Sequence, residues 1–259
     1  MKKLNSTLRN NLIEIVFMGI GVFLMLLILE FLHLFSGNTI IFPSLNEIFQ
    51  AFGRFLSQKS TYIGIGYTLL RTLLSLLISF VFAFIFSILG GLFKKVDLIL
   101  RPIIATFKCI PVPCFVFIIF VYLPLNKLVG AIIIVFMVIF PIMYEGIKSG
   151  INNLDENIIR SLRIEGLYNF NSIFKVMIPL AFPYIIVSFL TSFGLALKVE
   201  ITAEVLMNSL TLEGLGRILY LSYTNNEFVN LYALIIIILI SFIILDSLIY
   251  LIKRNFLKK

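Results

Sequence analysis

The chain reads as long apolar runs separated by short polar breaks. The first run extends from Ile15 to Leu29 and continues through Glu30 and His33 to Phe35. The second, Thr72 to Phe93, carries no charge. A third, from about Leu98 to Leu123, is interrupted early by Arg101 and Lys108. The fourth is Leu128 to Tyr144, the fifth Val176 to Leu197 with an extension past Glu204, and the sixth Val229 to Ile252. Runs of roughly 17–25 residues match the thickness of a bilayer. Lipid offers the backbone no hydrogen-bond partners, so each run must be helical. The expected fold is all-α and integral to a membrane, with six transmembrane helices. Composition agrees: 60% of the 259 residues are hydrophobic and 13% charged. Such a chain lacks the polar surface of a soluble enzyme, a secreted domain or a disordered segment. The first run follows a Lys-containing start and mimics a secretory signal. Its length, and the absence of a small-residue cleavage site after it, favour a retained span.

Charge changes the picture by giving it a direction. The net charge is +8, from 21 Lys+Arg against 13 Asp+Glu. With the N-terminus inside, the inner segments hold Lys2, Lys3, Arg9, Lys94, Lys95, Arg101, Lys148, Arg160, Arg163, Lys175, Lys253, Arg254, Lys258 and Lys259. The outer segments hold only Arg54, Lys59, Lys127 and Arg217. This is the positive-inside bias of a membrane protein with both termini cytoplasmic, and it accounts for the excess charge without nucleic acid. One His and two Cys exclude a disulfide framework and offer no Cys/His metal site. Cys109 and Cys114, flanking Pro111 and Pro113, read as small hydrophobes. The prolines are expected to break or kink the third span and line a path there. No G-x-x-x-x-G-K-[ST] occurs, so ATP hydrolysis does not reside in this chain.

Two breaks carry structure of their own. Leu45 to Leu56 reads as a short amphipathic helix with Ser44 as its N-cap. Gly146 to Lys175 is the most polar stretch of the chain. Within it Leu154, Ile158, Ile159 and Leu162 recur at helical spacing, with Asp155, Glu156, Arg160 and Arg163 between them, until Gly166 and Asn169 interrupt. Such a helix is either a connector on the membrane surface or an element that docks in a partner's groove.

Here the sequence resembles a known family. Gly166 is followed thirteen residues later by Pro179 in Lys175-Val176-Met177-Ile178-Pro179-Leu180-Ala181. This is similar to the E-A-A…G…P loop of bacterial ABC importer permeases, although Arg160-Ser161-Leu162 stands at E-A-A, placing a cation where the family has Glu. Further segments agree in order with the nitrate/sulfonate/taurine type. These are Phe42-Pro43-Ser44-Leu45-Asn46-Glu47-Ile48, Thr68-Leu69-Leu70-Arg71-Thr72-Leu73, Arg101-Pro102 with Ile110-Pro111-Val112-Pro113, and Thr202-Ala203-Glu204 with Gly214-Leu215-Gly216. Asp246 and the closing basic cluster complete the resemblance, which runs from about Phe42 to Lys259.

The resemblance implies a type I ABC importer permease fold with a cytoplasmic coupling helix. It implies one transmembrane permease domain over 1–259, with a core at about 60–254 and a coupling loop at about 146–175. Two copies would form the pore in a bacterial cell (inner) membrane. Each would dock on a cytoplasmic ABC ATPase that holds ATP and Mg, and a separate extracellular or periplasmic solute-binding protein would deliver a sulfonate, nitrate, taurine or thiamine-precursor-like solute. No cofactor is expected on this chain. Asp155, Arg160, Ser161, Leu162, Arg163, Gly166 and Pro179 would couple to the ATPase. Candidate path residues are Lys108, Pro111, Pro113, Lys198, Glu200 and Glu204. Glu200 and Glu204 share a helix face. Either the fifth span ends near Leu197 and leaves Lys198, Glu200 and Glu204 in water, or it continues and places Glu204 in the path or at a dimer seam. Lys108 either snorkels to the inner surface or lines the path. Glu30 and His33 read as interfacial. The competing classes are a membrane-embedded lipid-modifying enzyme and a non-catalytic assembly subunit.

Overall fold

A computed structural model describes residues 21, 24, 27–38, 40–123, 127–164, 172–207 and 213–257. Its elements are helices. They are α1 (Leu27–Ser36), α2 (Leu45–Ser57), α3 (Lys59–Leu92), α4 (Lys94–Cys109), α5 (Val112–Tyr122), α6 (Lys127–Asn152) and α7 (Glu156–Ile164). They continue with α8 (Ile173–Met207), α9 (Leu215–Thr224) and α10 (Phe228–Leu257). Among the described residues, α3, α6, α8 and α10 are long and apolar enough to cross a membrane, and α4 with α5 forms a further, bent pair. Most of the first expected span lies outside the described residues.

The chain forms two compact units: Met1–Gln58 with Leu221–Ile237, and Lys59–Tyr220 with Ile238–Lys259. In the first unit, Ser44 caps α2 as its sequence position predicts. Its hydroxyl accepts from the Glu47 N–H at 3.3 Å, and the Ser44 N–H donates to Glu47 Oε2 at 2.9 Å. This reciprocal box satisfies two donors that a helix start leaves open. The Ser44 backbone N–H, with its hydroxyl, holds the Glu47 carboxyl below its ordinary range. Glu30 Oε2 accepts from the Leu45 N–H at 3.1 Å, and His33 Nδ1 lies 2.7 Å from the Phe42 carbonyl. Both polar residues of the first run thus fasten α1 to the entry of α2. The turn between α9 and α10 puts Asn226 at φ +58°, a left-handed conformation that Asn tolerates.

In the second unit, α3, α6 and α8 pack on one another and α5 packs against α6 and α8. The arrangement inverts that of a soluble bundle. The buried face of α3 is largely small and hydroxylated (Thr68, Thr72, Ser75, Ser79 and Ser87, with Leu76 and Ile88 among them), while Leu70, Leu73, Leu74, Leu77, Ile78 and Phe82 point outward. Lipid is as apolar as leucine, so helices associate there through close backbone approach rather than by hiding hydrocarbon. The hydroxyls are satisfied on their own helix: Thr72 donates to the Thr68 carbonyl at 2.7 Å, and Ser75 and Ser79 donate one turn back at 2.8 Å. Ser87 instead crosses to the Tyr144 carbonyl of α6 at 2.8 Å. A Cβ at Gly91 would lie 3.1 Å from the Ile151 side chain, and one at Gly146 would lie 2.9 Å from Ser188 Cβ of α8. Gly90 abuts the Tyr144 hydroxyl, so the Gly90-Gly91 pair does permit close packing.

The third span differs from a straight helix. α4 and α5 meet at a 100° bend at Ile110 and Pro111. Pro111 has no N–H to continue the ladder, and proline disfavours helical backbone at the residue before it. The second expected span begins much earlier than Thr72. α3 incorporates Gly64, Gly66, Thr68 and Arg71, residues whose polarity resembles a loop. In α8 the first turn, Ile173–Met177, is a π-turn just before Pro179. The proline's missing N–H fits the wider backbone there, and Pro183 leaves a second gap in the ladder.

These contacts predict that Gly146→Val destabilises the helix packing by about 1–3 kcal/mol through overpacking. Gly66→Ala, at a position with open space around it, should be neutral. Thermal unfolding of the detergent-solubilised variants measures both.

Candidate functional site

The polar interior of the second unit centres on Arg71. It sits on α3 with 2% relative exposure, facing Glu200 at 0% and Glu204 at 1% on α8. An arginine in an apolar helix has to meet an anion before leaving water. Glu200 and Glu204, four residues apart, project from one face of α8 and supply two. Arg71 Nε donates to Glu200 Oε1 at 2.8 Å, and Arg71 Nη2 is ion-paired to Glu204 Oε1. The same Nη2 donates to the Glu213 carbonyl at 2.7 Å. The two carboxylates are unequally served. Glu204 also accepts from the Thr68 hydroxyl at 2.8 Å and from the Gly216 N–H at 2.7 Å. Glu200 Oε2 is buried with no partner among the described residues.

The cluster explains why Gly214-Leu215-Gly216 opens α9. The Gly216 N–H reaches Glu204, and the Leu215 N–H donates to Thr68 Oγ1 at 3.0 Å. Two orphan donors of the α9 start are thus satisfied by side chains more than ten residues distant in sequence, and a carboxylate sits at the positive end of the helix. Both glycines are needed for space. A Cβ at Gly214 would lie 2.5 Å from Arg71 Nη2, and one at Gly216 would lie 2.7 Å from the Ile201 carbonyl.

Other charges lie where α3 and α6 end. Asp97 of α4, itself buried, is ion-paired to Lys148 of α6, accepts from Arg101 Nη2 at 2.9 Å and receives the Tyr144 hydroxyl at 3.2 Å. Lys108 pairs with Glu145 at 2.6 Å, and both are well exposed. These residues line an open recess of about 470 Å³ between α4 and α6.

The expected site residues are therefore distributed. Glu200 and Glu204 come together, and α8 continues to Met207, which overturns the reading that ends the fifth span near Leu197 and leaves both carboxylates in water. Lys198 does not join them; it is exposed on another face, with Nζ 5.4 Å from the Phe242 ring centre. Lys108 lies in the recess, and Pro111 and Pro113 lie at the bend. Asp155 begins α7, with Oδ1 accepting from the Asn157 N–H at 2.9 Å. Arg160 and Ser161 are exposed, and Leu154 packs on the core. Gly166 and the side chains of Leu162 and Arg163 lie outside the described residues. Pro179 is exposed in the first turns of α8. Arg71 was not among the expected site residues. The available signal was that an isolated Arg inside a span needs a carboxylate, and the fifth span holds two. Among the described residues, no cluster of His, Cys, Asp and Glu could hold a metal ion.

Residues 83–258 match the family described as binding-protein-dependent transport system inner membrane component. The chain belongs to this family. No curated protein matches it significantly in sequence. The fold is similar to that of the methionine ABC transporter MetNI, solved in inward-facing conformations, with a TM-score of 0.63 and 17% identity over 76% of this chain and 96% of that one. It is similar to the same degree to an amino acid ABC transporter solved with histidines, at TM-score 0.63 and 18% identity over 75% of this chain and 92% of that one. The binding-protein-dependent family and the shared fold make this chain a permease component of an ABC importer.

Removing one member of a buried ion cluster leaves the others unpaired, at a cost of about 3–5 kcal/mol. Arg71→Met and Glu204→Gln should therefore sharply reduce folded yield. Glu200→Gln should cost less, because one oxygen of Glu200 is unpartnered. Membrane yield and thermal midpoints of the three variants measure the order.

Proposed function

We propose that this permease belongs to the nitrate/sulfonate/taurine group and moves a small sulfonate, oxyanion or thiamine-precursor-like solute inward. The observation that carries this reading is the Arg71 cluster. Three segments that resemble the group's motifs, around Thr68-Leu69-Leu70-Arg71, Ala203-Glu204 and Gly214-Leu215-Gly216, meet in one set of interactions. Residues that depend on one another physically support the assignment more strongly than separate short matches.

The chain works as one permease domain in a homodimer in the bacterial inner membrane, with both termini cytoplasmic. A solute-binding protein delivers the solute, and two separate ATPases bind ATP and Mg and supply the energy. The segment about 146–175 is the coupling loop. Asp155 starts α7, and Arg160, Ser161, Leu162, Arg163 and Gly166 belong to the segment that meets the ATPase groove. Pro179, beside a π-turn, lets α8 respond to movement of that loop. The exposed Ile164 at the end of α7 supports a face that a partner covers. Lys108, Pro111, Pro113 and Lys198 border the path. Glu200 and Glu204 act beside it by holding α3, α8 and α9 together.

Co-expressed with the ATPase of its own operon and extracted in mild detergent, the chain should retain that ATPase; consistent loss of it would overturn the importer reading. Leu162→Asp and Gly166→Pro should abolish uptake while leaving the protein in the membrane. Uptake unchanged in both would remove the coupling role.

A further inference from the structure

Two ion pairs tie α4 to α6: Asp97 pairs with Lys148, and Lys108 with Glu145. The partners are three residues apart on α6 and eleven apart on α4, so by helix rise they attach about 4.5 Å apart on α6 and about 16 Å apart on α4. The ties diverge toward α4, and all four residues border one open recess of about 470 Å³. Arg101, Ile104, Ala105, Cys109 and Tyr144 complete its lining.

The recess is anionic at its base and cationic at its mouth. The Asp97 side chain is 7% exposed, and Lys148, Arg101 and the Tyr144 hydroxyl all donate to it. The Arg101 side chain is 64% exposed and that of Lys108 44%. Arg101 donates to Asp97 through Nε at 3.1 Å and Nη2 at 2.9 Å, which leaves Nη1 without a partner among the described residues. An ammonium has three N–H donors, and Lys108 and Lys148 each direct one at a carboxylate. Three cations against two carboxylates leave the recess with a positive charge in excess. Lys94 and Lys95, exposed at the start of α4, add to it. On the same turns of α4, Leu98, Ile99 and Ile103 are exposed. A cationic notch thus opens beside an apolar surface. A soluble anion would use only the notch, whereas a molecule with an anionic head and an apolar body uses both. Basic pockets between transmembrane helices at the cytoplasmic surface recognise lipid head groups in this way.

We propose that the recess between α4 and α6 binds the head group of an anionic phospholipid. Arg101 Nη1 and the ammonium groups of Lys108 and Lys148 donate to the phosphate oxygens, as charge-assisted hydrogen bonds. Glu145 accepts from a head-group hydroxyl such as that of phosphatidylglycerol. The exposed Ala105 leaves the middle of the notch open, and an acyl chain lies along Leu98, Ile99 and Ile103. The ligand is a component of the membrane and not the cargo. Its placement in the inner leaflet rests on the orientation proposed above; recognition of the head group does not.

The test uses the detergent-extracted complex with its ATPase, depleted of lipid and titrated with phosphatidylglycerol or phosphatidylcholine of equal chain length. Native mass spectrometry counts the bound lipid. Phosphatidylglycerol should bind about tenfold or more tightly, and Arg101→Gln combined with Lys108→Gln should abolish that preference. Arg54→Gln, which removes an exposed cation of α2, should retain it. Glu145→Gln releases Lys108 and should tighten phosphatidylglycerol binding about threefold or more, a gain that misfolding does not produce. Equal binding of the two lipids, a preference that survives the double variant, or no tightening in Glu145→Gln would each overturn the site. Displacement of the lipid by an equal concentration of glycerol phosphate would assign the recess to a soluble phosphate instead. A cross-link between copies through Cys109, in a chain with Cys114 replaced by Ser, would place a second copy over it; either result overturns the lipid. Labelling of Lys94→Cys by an impermeant thiol reagent from one side of the membrane, with both native cysteines replaced by Ser, reads the orientation separately.

Discussion

A guanidinium on an apolar helix cannot enter lipid alone, and the second unit is organised around that constraint at Arg71. Its two carboxylates lie one turn apart on α8, which fixes the rotation of α8 against α3. Glu204 then extends the constraint to a third element by accepting from the Gly216 N–H at the start of α9. Thr68 serves both sides, donating to Glu204 and accepting from Leu215. A hydrocarbon interface between these helices would leave them free to slide, because exchanging lipid for leucine gains little. Charge pairing at low dielectric is directional and strongly distance-dependent. It therefore specifies a register that hydrophobicity cannot.

The rest of the unit depends on close approach. The hydroxyls of Thr72, Ser75 and Ser79 turn back to their own helix and leave a small, neutral face on which α6 and α8 can settle. Gly91 and Gly146 bring the helices near enough for dispersion to hold them. Against this well-fixed body, the irregular points are local. The 100° bend between α4 and α5 lies at Pro111, and the π-turn of α8 lies beside Pro179. Both occur where the backbone ladder is already interrupted, so a change of angle there sacrifices few hydrogen bonds.

What the sequence determined by itself is what local physics controls. Long apolar runs allowed only helices in lipid, Ser44 and Glu47 formed a capping box within four residues, and Pro111 broke its span. The same local logic placed the start of α3 too late. Gly64, Thr68 and Arg71 look like loop residues until the partners that bury them are known. Only the tertiary structure decided the fate of the charges. Lys198 and Glu200 are two residues apart and were grouped together by sequence, yet they lie on opposite sides of α8 because each helical residue turns the chain by about 100°. One faces Phe242 and the other Arg71. Arg71 and Glu204 are separated by 133 residues, and no periodicity or composition connects positions so distant. Their pairing follows from the packing of α8 on α3, and that packing is where this chain's site is defined.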